Sequence, residues 1–175
     1  AALVFGGNPG SIAATEEWNT GVAIGAWSTG GDLNTARKYM AGAGTQTAAL
    51  GFGGASPVPS LALTESYNGT SWTEVNDLNT ARYAMGGAGT QTAALGFGGY
   101  IPGSLALTEI WNGTNWTEVN DLNTARRYLA GAGATNTAAL AFGGTPTTAA
   151  TETWNGTNWT EVNDLNTARQ SLAGT

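Results

Sequence analysis

The chain contains no cysteine and no histidine among its 175 residues. The absence of cysteine excludes disulfides, thiolate nucleophiles and cysteine-based zinc sites, and it leaves the redox compartment open. The absence of histidine removes the most common general base at neutral pH and the most common transition-metal ligand. We therefore predict no catalytic residue, no metal site and no cofactor.

Charged side chains are also few. Six Lys and Arg residues stand against twelve Asp and Glu residues, which gives a net charge of −6. Nucleic acids and acidic lipid surfaces are attracted by clusters of Lys and Arg, and the sequence has no such cluster. No apolar run reaches the length of about eighteen residues that a membrane-spanning helix needs. We expect neither a nucleic acid partner nor insertion into a membrane.

The dominant positive feature is a repeat. The phrase ESYNGTSWTEVNDLNTAR at 65–82 recurs with few changes at 109–126 and 152–169. The motifs FGG and TAR each occur four times, and a Trp precedes each TAR by about ten residues. A period of about 45 residues lies in the range of β-propeller blades and of helix-pair repeats.

Local composition separates these two architectures. The repeats are rich in Gly, Thr, Asn and aromatic residues and poor in the residues that favour helices. Asn-Gly at 68–69 and in its copies predicts a hairpin turn whose two central residues have positive φ. The run TAALGFGG at 92–99 predicts a buried strand that ends at a glycine pair. We therefore predict an all-β fold with four strands in each repeat, which in the second repeat lie at 38–44, 47–52, 61–67 and 71–75.

The order of marked residues in each repeat resembles the kelch family of β-propellers. In the second repeat, Gly53 and Gly54 follow the second strand, Tyr67 ends the third and Trp72 begins the fourth. The resemblance implies a β-propeller built of four-stranded antiparallel blades. The chain departs from the family in two ways: Asn-Gly replaces the usual acidic turn, and the length suffices for only four blades.

We predict a single domain at 1–175, a four-bladed propeller whose first and last strands share one blade. The sequence starts at a second strand, AALVFGG, and its last residues, QSLAGT, match a first strand. Pairing of these two segments closes the ring and removes exposed strand edges. The alternatives are a segment of a longer array and a ring completed by several chains. The predicted blades are blade 1 at 1–31 plus 170–175, blade 2 at 38–76, blade 3 at 83–120 and blade 4 at 127–163.

Eleven of the twelve acidic residues occupy repeated positions. A catalytic carboxylate pair needs two different environments, whereas a repeated position places every copy in nearly the same one. The NDLN turns each offer one carboxylate, which favours an Asx-type turn over a calcium site. We predict that the carboxylates satisfy turn amides and pair with the repeated arginines Arg37, Arg82, Arg126 and Arg169.

Eight aromatic residues also recur at fixed positions. Their regularity favours packing between neighbouring blades over stacking on sugars, because large side chains bury the most area there. The Asn-Gly-Thr sequons that begin at Asn68, Asn112 and Asn155 are interpreted as a by-product of the turn. The predicted core aromatics are Trp18, Tyr67, Trp111, Trp154, Trp27, Trp72, Trp116 and Trp159.

Two segments differ between the copies, and both are expected on one face, around one mouth of the central channel. One follows the glycine pair and the other follows the repeated arginine. Binding residues concentrate on loops that a rigid scaffold presents, and Tyr and Arg are common anchors of interfaces. Neutral drift in tolerant loops is the alternative. The predicted ligand-binding residues of this channel mouth are Lys38, Tyr39, Tyr83, Tyr100, Ile101, Arg127, Tyr128 and Gln170.

The first functional hypothesis is a non-enzymatic binding module that recognises a glycan or protein receptor through the channel mouth. The Gly-, Ala- and Thr-rich, charge-poor repeats are similar to those of phage tail fibres and bacterial surface proteins, which implies an extracellular or virion-surface location. The second hypothesis is a structural subunit of a fibre or virion appendage that self-associates through the uniform Asn-Gly-Thr face. Kelch-like oxidases and isomerases depend on His and Cys, so their sites cannot be carried over to this chain.

Overall fold

The computed structural model describes residues 2–7, 10–19, 26–57 and 60–174. These residues form seventeen β-strands and no helix, which confirms the all-β prediction. Most strands belong to four antiparallel sheets that follow one another along the chain, an arrangement consistent with a four-bladed propeller. No helix in the described part of the chain is long and apolar enough to cross a membrane.

Blades 2, 3 and 4 are four-stranded sheets. Blade 2 consists of β4 (Ala41–Thr45), β5 (Ala48–Phe52), β6 (Thr64–Tyr67) and β7 (Trp72–Val75). Blade 3 consists of β8 (Gly86–Thr90), β9 (Ala93–Phe97), β12 (Thr108–Trp111) and β13 (Trp116–Val119), and a short hairpin of β10 (Tyr100–Ile101) and β11 (Gly103–Ser104) lies within its second loop. Blade 4 consists of β14 (Ala130–Thr135), β15 (Ala138–Phe142), β16 (Thr151–Trp154) and β17 (Trp159–Val162).

Blade 1 has three strands where four were predicted. These are β1 (Ala2–Phe5), β2 (Thr15–Asn19) and β3 (Ala26–Thr29). Residues 170–174 belong to no strand, and none of them pairs with β1 among the described residues. The segment nevertheless approaches the first strand of blade 4 closely. A Cβ on Gly174 would collide with the carbonyl oxygen of Gly131, just as one on Gly87 would come within 2.7 Å of the carbonyl oxygen of Gly42.

The Asn-Gly turn differs from its prediction. Gly69 has a φ of +92°, but Asn68 is not among the residues with positive φ, so the two-residue turn with both central residues in that region is wrong. The loop holds four residues between β6 and β7, and the Asn68 side-chain oxygen accepts the backbone N–H groups of Thr70 and Ser71 at 3.0 and 2.9 Å. The asparagine therefore acts as a side-chain cap of the loop.

The apolar core lies between consecutive blades. Leu50 and Phe52 of blade 2 pack against Trp116 of blade 3, and Leu95 and Phe97 of blade 3 occupy the same places beside the next blade. The second strand of each of these blades is covered by a neighbour on both faces, so it is apolar throughout rather than alternating. Each fully buried side chain of this size contributes about 1.5–3 kcal/mol to folding.

Most of the predicted core aromatics are buried. Tyr67, Trp111 and Trp154, which end third strands, are at most 2% exposed, and the Trp residues that begin the fourth strands of blades 2, 3 and 4 are 5% exposed. Trp18 is only partly buried, and Trp27 is 48% exposed, so the prediction is wrong for Trp27. Both belong to blade 1. The face of its sheet that is turned away from blade 2 contacts no other blade among the described residues.

The glycine pairs are required where the second strand ends. Gly98 has a φ of +65°, and a Cβ there would lie 2.7 Å from the carbonyl oxygen of Arg126. We expect Gly98→Ala to lower the free energy of unfolding by about 2 kcal/mol or more, because the left-handed backbone and the contact both oppose a side chain. Gly10→Ala is the control, since Gly10 has a similar φ of +76° but nothing within 4 Å of an added Cβ. Equal losses in urea titrations of the two variants would contradict the role of the contact.

Candidate functional site

The two variable segments adjoin on one face, as the sequence predicts. In blades 2, 3 and 4, the residue after the repeated arginine forms an antiparallel bridge with the residue after the glycine pair. These bridges join Lys38 to Ala55, Tyr83 to Tyr100 and Arg127 to Thr145. The differences between the copies are therefore gathered in space as well as in sequence.

The next position in each repeat has an unusual backbone conformation. Tyr39, Ala84, Tyr128 and Ser171 have φ values of 57°, 55°, 53° and 56°, and each lies in the left-handed region that costs a non-glycine residue about 1–2 kcal/mol. Backbone hydrogen bonds link them in succession: Ala84 N–H donates to Tyr39 O at 2.8 Å, Tyr128 N–H to Ala84 O at 2.7 Å, and Ser171 N–H to Tyr128 O at 2.9 Å. Strained residues held in this way are characteristic of functional sites.

These four residues surround a cavity of about 290 Å³. Its remaining lining is apolar and comes from the following position of each repeat: Met40, Met85, Leu129 and Leu172. A second cavity, of about 460 Å³, is lined mainly by the innermost strands and presents mostly glycine, alanine and backbone. Specific recognition requires placed polar groups around an apolar floor, so the 290 Å³ cavity is the better candidate site.

Four tyrosines cluster beside this cavity, and two of them, Tyr39 and Tyr128, line it. The ring of Tyr39 lies 6.0 Å from that of Tyr83 and 5.8 Å from that of Tyr128, with centroids as the reference points. Tyr83 in turn contacts Tyr100 edge-to-face at 5.4 Å. Tyr39 is 40% exposed, so the cluster has a face open to solvent. Such rings offer rigid apolar faces together with hydroxyl groups.

Two cations flank the tyrosines. The Lys38 ammonium lies 5.5 Å from the centroid of the Tyr39 ring, and the Arg127 guanidinium lies 4.5 Å from that of Tyr100, distances at which cation–π attraction operates. Arg127 Nη1 also donates to the Ser104 hydroxyl at 3.3 Å. The ion pairs found among the described residues all involve other arginines, so neither cation is neutralised by a neighbouring carboxylate there.

The surroundings of Tyr128 raise the pKa of its phenol. Burial raises its pKa, and the nearby phenols of Tyr39 and Tyr83 raise it further, against a smaller opposing effect of Arg127. The hydroxyl therefore stays protonated at neutral pH and can both donate and accept hydrogen bonds.

The two remaining predicted site residues, Ile101 and Gln170, do not line the 290 Å³ cavity. Ile101 is half-buried and pairs with Gly103 in the β10–β11 hairpin. Gln170 is exposed, and its side-chain oxygen accepts a hydrogen bond from the Thr145 hydroxyl. Sequence reasoning missed Ala84 and Ser171, although alignment of the repeats places them with Tyr39 and Tyr128, because small side chains gave no chemical signal.

The repeated carboxylates form a structural network rather than a reactive site. Glu65, Glu109 and Glu152 are at most 1% exposed, and they pair with Arg37, Arg82 and Arg126 respectively at 2.7, 2.5 and 2.7 Å. Each also accepts backbone and side-chain donors from the turn that precedes its arginine, as the pair of contacts from Asn79 to Glu109 at 2.8 Å illustrates. The predicted pairing is confirmed for these three arginines.

The NDLN aspartates bond to a backbone amide of the third strand of their own blade. The Asp77 Oδ1 atom accepts the Thr64 N–H at 3.1 Å, and the copy at Asp121 accepts the Thr108 N–H at the same distance. No group of three or more acidic side chains that could hold a metal ion occurs in the described part of the chain. The predicted Asx-type turn is wrong for Asp77 and Asp121, because each carboxylate accepts an amide thirteen residues earlier in the chain rather than one of its own turn.

Comparison with known proteins adds no assignment. No protein-family model and no curated protein matches this chain.

Proposed function

We propose that the protein is a non-enzymatic binding module that recognises a glycan or protein receptor through the channel mouth, at a virion or cell surface. The observation that carries the proposal is the convergence of Tyr39, Tyr83, Tyr100 and Tyr128 with two unneutralised cations. All six come from positions where the repeats differ, whereas the scaffold around them is repeated. Variable residues on a repeated scaffold are the usual organisation of a recognition surface.

The chemistry of the channel mouth fits a ligand with apolar faces and anionic or hydroxyl groups. The negative faces of tyrosine rings attract the polarised C–H groups of a sugar or the side chains of a peptide. Lys38 and Arg127 supply donors for carboxylates, and Arg does so in a fixed geometry. Because the backbone bonds fix the tyrosine-bearing segment, little conformational entropy is lost on binding.

We also propose that the blades form a closed ring of kelch-like type, in which residues 170–175 supply the innermost strand of blade 1. Three features support this proposal. Gly174 repeats the close approach made by the innermost strands, Ser171 shares the 290 Å³ cavity with Tyr39, and Gly174 shares the larger cavity with Leu3 of β1. Ring closure is the usual way in which propellers protect their strand edges.

A binding experiment tests the proposed function. The purified protein is applied to an array of neutral, carboxylated and sulfated glycans, beside a variant with Lys38, Tyr39, Arg127 and Tyr128 replaced by alanine. We expect binding to at least one anionic glycan, at least a tenfold loss in the variant, and a similar melting temperature for both proteins. The control variant replaces the exposed outer-strand residues Thr73, Glu74, Thr117 and Glu118 by alanine and should bind like the unmodified chain.

Three outcomes separate the alternatives. Binding that survives the alanine substitutions contradicts the channel mouth as the site. Absence of glycan binding, combined with capture of a protein receptor that the mouth variant loses, identifies the receptor as protein. Absence of any binding, together with concentration-dependent filaments, favours a structural subunit of a fibre.

A further inference from the structure

Each of the three blade-to-blade interfaces in the structure is built from the same contacts. Between blades 2 and 3, Trp116 Nε1 donates to Thr64 Oγ1 at 3.0 Å, and the rings of Phe52 and Trp116 lie 4.8 Å apart. Arg82 bonds through its backbone to blade 2 and through its side chain to Glu109 of blade 3. The interfaces of blades 1 with 2 and 3 with 4 repeat these contacts, with indole-to-hydroxyl distances of 2.9 and 3.0 Å.

A fourth complete set of these side chains exists in the chain, and among the described residues its members do not make the contacts made by the other three sets. Blade 4 carries Thr151, Phe142 and the arginine Arg169, which bonds through its backbone to Thr148 O. Blade 1 carries the matching Glu16 and Trp27. Arg169 and Glu16 are both exposed and form no ion pair among the described residues, in contrast to their three buried copies.

The exposed apolar residues lie on the same two sheet faces as this fourth set, one face on blade 4 and one on blade 1. The described chain has five exposed large hydrophobic residues; one is Tyr39 at the channel mouth, and the others are Val4, Trp27, Leu140 and Val162. Leu140 is the copy of Leu50 and Leu95, which are fully buried against the following blade. Val4 and Trp27 are copies of positions that meet the preceding blade. Val162 is the copy of Val75 and Val119, which pack against core clusters shared with the following blade. All four therefore belong to a face of blade 4 or of blade 1 that meets no further blade among the described residues.

We infer that these two faces dock on each other within one chain and that Arg169 and Glu16 form a latch that closes the ring. In the docked state, the Arg169 side chain pairs with the Glu16 carboxylate, and the Trp27 indole N–H donates to the Thr151 hydroxyl. The inference rests on the closed ring proposed above and names the residues that hold it. It is independent of any ligand.

The occupant of each face is the other end of the same chain rather than a second copy. Both ends already contribute to one cavity, which Leu3 of blade 1 and Gly174 line together. An intramolecular partner at this range has a far higher effective concentration than a separate molecule. Docking also allows the Tyr39 N–H to reach the Ser171 carbonyl, which completes the succession of backbone hydrogen bonds at the channel mouth.

Charge reversal tests the latch. We expect Arg169→Glu and Glu16→Arg each to lower the melting temperature by about 6 °C or more, because each leaves a like-charge pair in a closing interface. The double variant, Glu16→Arg with Arg169→Glu, should recover most of the loss. A control pair, Glu118→Arg with Lys38→Glu, carries the same charge changes at exposed or partly buried positions in different blades, away from the interface between blades 4 and 1, and should show no coupling between its two members.

A second measurement does not depend on how the variants fold. Hydrogen exchange of the unmodified protein should protect the Tyr39 amide as strongly as those of Ala84 and Tyr128. If the Tyr39 amide is protected but Arg169 and Glu16 show no charge coupling, the closed ring stands and the latch is overturned. If the amide is unprotected and the charges are also uncoupled, both the closed ring and the latch are overturned. Coupling that appears only with dimer formation on size-exclusion chromatography overturns docking within one chain and assigns the face to a second copy.

Discussion

Replacement of Arg82 by methionine is expected to lower the free energy of unfolding by about 3–5 kcal/mol. The Arg82 side chain is fully buried, and it joins Glu109 at 2.5 Å and the Gly96 carbonyl at 3.2 Å. Burial lowers the pKa of Arg82, and the Glu109 carboxylate opposes that shift. Methionine keeps much of the packing volume but leaves the carboxylate buried without its cation, which is the costly part of the change.

The control is the double variant Arg82→Met with Glu109→Gln. Glutamine is neutral, and its amide oxygen can still accept the two Asn79 donors that Glu109 Oε2 accepts at 2.8 Å. We therefore expect the double variant to be more stable than Arg82→Met alone, although the lost bond to Gly96 prevents full recovery. Urea titrations of the unmodified protein, Arg82→Met, Glu109→Gln and the double variant measure the coupling directly. A loss below about 1 kcal/mol for Arg82→Met, as for an exposed ion pair, would contradict the structural role of the network.

The sequence predicts the repeated part of the fold well, because each element has its own chemical signal. Glycine pairs end the second strands, and the strands of blade 2 lie within or beside the predicted ranges. The Arg–Glu pairing also follows from the sequence. The chain has six cations, and four of them are the repeated TAR arginines, so the repeated carboxylates have few other cationic partners. These features depend on local composition and on repetition, both of which are visible without coordinates.

Two features could not be predicted from local patterns. Trp27 is exposed because the described part of the chain places no blade against it, and the position of one blade relative to the others is set by the geometry of the whole array rather than by any motif. The Asn68 loop depends on a side-chain cap, and the dipeptide Asn-Gly is compatible with both the cap and the tighter turn.

The candidate site was located from the differences between repeats, but its chemistry required the structure. Sequence comparison places Lys38, Tyr39, Arg127 and Tyr128 on one face because they follow the repeated arginine. It cannot show that Tyr39 and Tyr128 meet across the cavity at 5.8 Å, since they belong to blades that are not consecutive. Long-range contacts of this kind arise from the curvature of the array.

The second large effect is expected for Trp116→Ala, which should lower the free energy of unfolding by about 3–5 kcal/mol. Trp116 is 5% exposed and packs against Phe52 and Trp111, with ring centroids 4.8 and 5.4 Å away. It also bonds to Thr64, which is fully buried. Alanine removes the ring from the middle of the interface between blades 2 and 3, and the rigid strands on either side cannot collapse into the space.

Two further variants divide this loss between packing and the hydrogen bond. Thr64→Val removes the acceptor while it keeps the shape, which leaves the Trp116 N–H buried without a partner at a cost of about 1–3 kcal/mol. Trp116→Phe keeps most of the aromatic packing and should fall between Thr64→Val and Trp116→Ala. Chemical denaturation of all three variants orders them. If Thr64→Val were as damaging as Trp116→Ala, the indole bond rather than the buried ring would hold the blades together, and the packing argument for every interface would be wrong.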